Sequence, residues 1–231
     1  MLFGYFYWDP TYILVLAGVV ISLLASWGVK STFAKYSKVG NSYGLTARDV
    51  AERILHNAGI YDVAIEQVGG DLTDHYSPNE KVLRLSSSVC NSTSVAAIGV
   101  AAHECGHAIQ HANGYAPIKV RNAIVPVVNI GQQLSIPLIM LGLILSMTGL
   151  VNIGIFLFSF VLIFQVVTLP VEFNASNRAL RILDERNFLV GDELKGAKAV
   201  LTAAAMTYVA AVISSALQLL RLVLLSKRRD D

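Results

Sequence analysis

Cysteine is almost missing from this chain of 231 residues: only Cys90 and Cys105 are present. Two thiols cannot build a disulfide framework, so both read as small buried residues. Charge is scarce as well. Asp, Glu, Lys and Arg make up 15% of the residues, where soluble domains usually carry about a quarter. The formal net charge is only +2, which gives no case for nucleic acid as a partner. The chain holds no internal repeat and no low-complexity segment.

Apolar residues fill the gap, at 54% of the chain. Four stretches approach the roughly 20 residues that cross a bilayer: 11–29, 123–147, 150–169 and 199–225. The first has no Lys or Arg before it and no A-x-A-like cleavage site after it, so it is expected to be an anchor, not a cleaved signal. The second and third are joined by almost no loop, and residues 123–169 contain no ionisable side chain. That absence argues against a metal transporter, which would place such groups inside its spans. Asn129, Gln132 and Gln133 share one face of the second stretch and are expected to face protein. The fourth differs: Thr207, Ser214, Gln218 and Arg221 form an amphipathic stripe at helical spacing. Its first half is expected to pack against the polar domain, with the rest in or on the membrane.

Residues 30–122 read as a small folded domain. LTARDVAERILHNAG predicts a helix with Thr46 as N-cap, Asp49 at its N3 position and Gly59 at its end. YDVAIEQV (61–68) and KVLRLS (81–86) predict strands, and GGDLTDHYSPN between them is rich in turn residues. Ser94 is expected to cap a helix that runs to about Ala112, stopped by Asn113-Gly114. That helix opens apolar all round, so it should be buried.

AAHECGHAIQH (101–111) ends this helix and holds three of the five histidines. His103 and His107 stand one turn apart on one face, where two imidazoles can converge on one zinc ion. Glu104 follows the first, in the place of the general base of H-E-x-x-H. His111 lies about 12 Å of helix rise from His103, too far along one helix to share an ion bound at about 2 Å. A third ligand must come from elsewhere, and the downstream glutamates are Glu172, Glu185 and Glu193. Glu185 and Glu193 stand in a charged segment and read as solvated. Glu172 is favoured: a helix starting near Pro170 would put Glu172, Ser176 and Ala179 on one face. The reading is a His₂Glu site with one position open for water. His75, Tyr76 and Arg178 are candidate oxyanion donors, although Asp74 of the same DHY stretch could simply cap a turn. The strand residues Val82, Leu83, Arg84 and Leu85 could pair with an extended substrate or serve as an ordinary sheet strand.

HECGHAIQH after VAAIGVAA, DHYSP before KVLRLS, and VEFNASNRAL after an apolar hairpin together resemble the bacterial neutral zinc metallopeptidases of the membrane, the YugP type. The likeness covers most of residues 40–200. It implies a gluzincin-like integral-membrane peptidase, distantly similar to HtpX and the CAAX prenyl proteases, with His103, His107 and Glu172 as ligands and Glu104 as base. Many gluzincins have E-x-x-x-D, the Asp supporting a ligand histidine; here that position is Ser176, with Asn174, Asn177 and Arg178 nearby.

The expected fold is mainly α, a membrane protein with a small α+β zincin-like catalytic domain. The HExxH helix and the third-ligand helix would be connected by a transmembrane helical hairpin. The divisions are an anchor (1–29), the catalytic domain (30–122), the hairpin (123–170), the third-ligand helix and a charged loop (171–198), and a C-terminal helix with a basic tail (199–231). The expected function is endopeptidase action on membrane or membrane-proximal proteins with one Zn²⁺ per chain. The alternative is an inactive zinc-holding scaffold or protease partner. Lys30, Lys35, Lys38, Lys119, Arg121, Arg178 and Arg181 flank the spans on one side, which places the catalytic domain in the cytoplasm. Lys227, Arg228 and Arg229 agree with that only if the fourth stretch does not cross.

Overall fold

The computed structural model describes residues 9–230, with side chains to Lys227. Residues 1–8 of the expected anchor and the side chains of Arg228 and Arg229 lie outside the described residues. The elements run α1 (Tyr12–Tyr36), α2 (Ala47–Asn57), β1 (Ala64–Val68), β2 (His75–Ser77), β3 (Val82–Ser86), α3 (Val95–Ala112), α4 (Ala116–Ile144), α5 (Thr148–Glu185) and α6 (Asp192–Asp230). The protein is mostly helical, with one three-stranded sheet. Four helices, α1, α4, α5 and α6, are long and apolar enough to cross a membrane. The described chain divides into two compact units.

The sheet-bearing unit comprises Ala25–Ala123 and Val167–Tyr208. In α2, Thr46 Oγ1 accepts from Asp49 N while the Asp49 carboxylate accepts from Thr46 N, so each satisfies an amide that a helix start leaves free. The helix buries Val50, Ala51, Ile54 and Leu55. Ser94 caps α3 by accepting from Ala97 N. That helix is buried along most of its length, and Gly99 lets it meet α6, since an added Cβ would stand 3.3 Å from Ala197 Cβ. The core gathers Ile54, Leu55, Leu83, Leu85, Ile98, Leu183 and Leu189 from α2, β3, α3, α5 and the α5–α6 loop, with Cys90 and Cys105 buried among them.

Strand β2 and helix α5 differ from the sequence reading. His75–Ser77, expected as turn, is strand β2. It pairs antiparallel with β3, while β1 pairs parallel with β3 on the other side, giving the order β1-β3-β2. Strand β3 is therefore central. A helix starting at Pro170 is also not what forms: α5 runs unbroken from Thr148 to Glu185 with Pro170 inside it. The missing amide costs one hydrogen bond, and neighbouring turns carry the helix through.

The helical unit takes the described residues up to Leu24, Ile124–Val166 and the chain from Val209. Here α4 and α5 pack through small residues. A Cβ on Gly131 would stand 2.8 Å from Leu157 O, one on Gly154 2.8 Å from Ser135 O, and one on Gly142 2.8 Å from Val151 N. Such small residues let helix backbones approach closely. Val128, Gly131, Ser135, Ile139 and Gly142 form the buried face of α4, and Asn129, Gln132 and Gln133 are exposed. The expectation that these three amides face protein fails because backbone approach, not side-chain polarity, selects the buried face. On α6, Ser214 Oγ donates to Gly18 O at 2.8 Å and Arg221 lies 4.4 Å from the Tyr12 ring centroid, so its polar stripe turns to α1. Ser226 Oγ donates to Asn152 Oδ1 at 3.0 Å, which places the end of α6 beside the first turns of α5.

Candidate metal centre

Helix α3 presents His103 and His107 one turn apart, and α5 presents Glu172 opposite them. Gly106 makes the approach possible. A Cβ there would stand 2.6 Å from Ala175 O and 3.1 Å from Ala175 Cα, both backbone atoms of α5 that cannot swing aside. With hydrogen at that position the two helices close; within α3 the Nε2 atoms of His103 and His107 are 3.2 Å apart. Glu172 Oε2 lies 3.3 Å from the first and 3.5 Å from the second.

The hydrogen bonds say what these atoms hold. Gln110 Nε2 donates to Val171 O at 2.8 Å and to Asn174 Oδ1 at 3.0 Å. Gln110 Oε1 is thus left to accept from His107 Nδ1 at 3.1 Å. A neutral His107 with its proton on Nδ1 bears a lone pair on Nε2, pointed at a carboxylate oxygen. Glu172 is only 3% exposed, and its Oε2 is buried with no hydrogen-bond partner. Lone pairs so arranged repel one another unless a cation stands between them. Tetrahedral zinc bound at 2.0–2.1 Å keeps its ligand atoms about 3.3–3.4 Å apart, close to the three spacings here, so the residues fit the ion.

Each of the three is also steadied from behind, as metal-binding histidines and carboxylates require. Ser176 Oγ is 3.0 Å from His103 Nδ1, and Gln110 holds His107. The Arg121 guanidinium lies 3.5 Å from Glu172 Oε1, with the Tyr208 hydroxyl beside the same carboxylate. Glu104 is buried, and its Oε2 accepts from Tyr76 N at 3.0 Å. Burial pushes its carboxyl above the usual range, while His103 and His107 pull against that.

Other sequence candidates stand elsewhere. His111 Nδ1 is 3.1 Å from the Tyr76 hydroxyl, outside the cluster. The Tyr76 side chain thus points to His111 while its backbone amide serves Glu104. His75 is exposed and lines a polar cavity at the centre. Asn177 is exposed, and Arg178 Nε donates to Asn174 Oδ1 at 2.7 Å, so neither reaches the centre. Asp74 caps as the turn reading allowed, accepting from Ser86 N at 2.7 Å. Val82, Leu83, Arg84 and Leu85 are corrected as a substrate strand: β1 and β2 take both edges of β3, Leu83 and Leu85 are buried, and Arg84 pairs with Glu66 and Glu80. Glu193 is corrected too; it accepts from Ser42 N at 2.8 Å and is not simply solvated.

Gln110, Arg121, Tyr208 and Gly106 escaped the sequence reading. Gln110 stands at i+3 from His107, a spacing that could have flagged it. Arg121 and Tyr208 arrive from separate helices with no local signal.

Residues 11–227 match the family described as "Putative neutral zinc metallopeptidase". A protein of Bacillus subtilis (strain 168) named "Putative membrane protease YugP" is 46% identical over 212 residues, covering 92% of this chain and 94% of that one. No solved structure matches the chain.

Proposed function

This chain belongs to the neutral zinc metallopeptidase family, and from that premise we propose that it is a zinc-dependent endopeptidase of the membrane that hydrolyses peptide bonds of membrane or membrane-proximal proteins. The observation that carries this is the convergence of His103 Nε2, His107 Nε2 and the unpartnered Glu172 Oε2 within 4.8 Å, next to a buried Glu104. Those three side chains would hold one zinc ion per chain. When bound, zinc supplies Lewis acidity that polarises a carbonyl and acidifies water.

The rest is done by the chain's own groups. Tyr76 N–H occupies Glu104 Oε2, so Oε1 is the atom free to take a proton from attacking water and return it to the leaving amine. An extended substrate pairs with β2, the sheet's outer strand beside Glu104, in the manner of strand addition. The site opens to the cytoplasm, because Lys30, Lys35, Lys38, Lys119, Arg121, Arg178 and Arg181 cluster at the span ends nearest it in sequence. Lys227, Arg228 and Arg229 follow Ser226, which meets Asn152, and weigh against this side, but by a smaller count, three against seven. Reporter fusions at Gly70 and Gly149 test the orientation: a cytoplasmic signal at Gly70 and an external one at Gly149 are expected.

Metal analysis tests the centre. Purified Glu172→Ala should lose zinc, while His111→Ala should keep it in stoichiometric amount. Casein or peptide hydrolysis should vanish on chelation and return with zinc. Stoichiometric zinc without hydrolysis would favour the scaffold reading.

A further inference from the structure

Two cavities of opposite character leave the centre, and His103, Glu104 and Glu172 line both. One, about 250 Å³, is walled by Phe33 of α1, Val100 of α3, and Val200, Leu201, Ala204 and Ala205 of α6. The other, about 200 Å³, is walled by His75, Tyr76, Arg121 and Asn122. Both are smaller than the roughly 300–1,000 Å³ pockets that take whole small molecules, so each suits one side chain of a longer chain. The first offers no charge along its α1 and α6 walls. The second also has Asp74 in its wall and carries Arg121, which reaches Glu172 Oε1 through one terminal nitrogen and keeps its Nε buried without a partner.

Resting on the peptidase reading above, we propose that this enzyme selects a seam in its substrate: a bond joining a large apolar residue to a polar one, acidic for preference. The apolar side chain fills the cavity between α1 and α6, and Ala204 and Ala205 set its depth. The polar side chain enters the cavity beside Arg121. A polypeptide has such seams where an apolar segment passes into a hydrophilic one. Selection comes from both cavities, since an apolar side chain beside Arg121 leaves its buried Nε without a partner, and a carboxylate between α1 and α6 loses its water without meeting a cation there.

The zinc-loaded full chain in detergent, given four quenched fluorescent peptides with Leu-Asp, Asp-Leu, Leu-Leu or Asp-Asp at the centre, tests this. One mixed peptide should exceed both uniform ones in kcat/KM by tenfold or more, the scale at which apolar pockets discriminate. Ala204→Phe should keep its zinc and lose at least tenfold on that peptide relative to its Ala-for-Leu counterpart; Ala205→Leu serves if the first variant loses zinc. A second readout needs no turnover: a benzyl hydroxamate should bind wild type about tenfold more tightly than methyl hydroxamate, and Ala204→Phe should erase the difference. Hydroxamate binding and peptide cleavage without preference overturn the seam and leave the peptidase standing. Zinc-loaded protein that neither cleaves nor binds a hydroxamate overturns both.

Discussion

The two units of this protein bury their residues by opposite rules. In the sheet-bearing unit large side chains are fully buried: Ile54, Leu55, Leu83, Leu85, Ile98, Leu183 and Leu189. In the helical unit the close contacts run through Gly18, Gly131, Gly142 and Gly154, while Ile13, Leu16, Leu23, Ile144 and Phe156 lie on the outside. Water drives large apolar groups inward, about 25 cal/mol for each Å² removed. Lipid gives no such drive, so helices there associate by backbone closeness and leave their leucines outward. The same chain therefore reads apolar residues as core in one place and as surface in the other.

The centre belongs to the first rule but borrows the second. Gly106 brings α3 and α5 to backbone contact inside the water-type core, as Gly131 and Gly154 do for α4 and α5. Polar side chains are then buried at that contact, each with a stated partner except the atoms left for a cation.

Four changes break or sharpen this contrast. The largest effect is expected from Glu104→Gln, which alters the chemistry and neither kind of packing. Hydrolysis should fall about 10²–10⁴-fold, with zinc content unchanged by metal analysis. Next, Leu83→Ala should cost the sheet-bearing unit about 2–5 kcal/mol, as emptied core sites do, read by denaturant unfolding in detergent. Gly106→Ala should then show the borrowed rule: its Cβ forces α3 from α5 and weakens zinc binding by roughly 10–100-fold, the scale seen when support behind a ligand is disturbed, measured by chelator competition. The smallest effect is expected from Leu16→Ala on the outward face of α1, within about 0.5 kcal/mol in the same unfolding assay. A loss at Leu16 equal to that at Leu83 would mean that the helical unit also has a water-type core.

The sequence shows some parts of this protein more plainly than others, and the reason is distance along the chain. His103, Glu104 and His107 lie within one helix turn, so helical period alone aligns them. The four spans are legible because twenty apolar residues have few other uses. Glu172 was reachable because only three glutamates follow the motif. Strand β2 was not: three residues have too little pattern, and His75–Ser77 become a strand only because β3 offers an edge. The amides of α4 misled for a related reason, since polarity predicts what a helix would gain from burial and not which face its neighbour can approach.

Local order alone therefore determined the helices, their caps, the apolar spans and the pair of histidines, all contacts within about a turn, where backbone geometry leaves little choice. Only the tertiary structure decided that β3 is enclosed, that Gln110 sets the proton on His107 by way of Val171 and Asn174, and that Arg121 and Tyr208 stand behind Glu172. The bonds of Gln110 and Arg121 join α3 and α4 to α5 across 51 to 64 residues. No propensity acts over such a gap; it is closed by packing, and at this centre by the missing Cβ of Gly106.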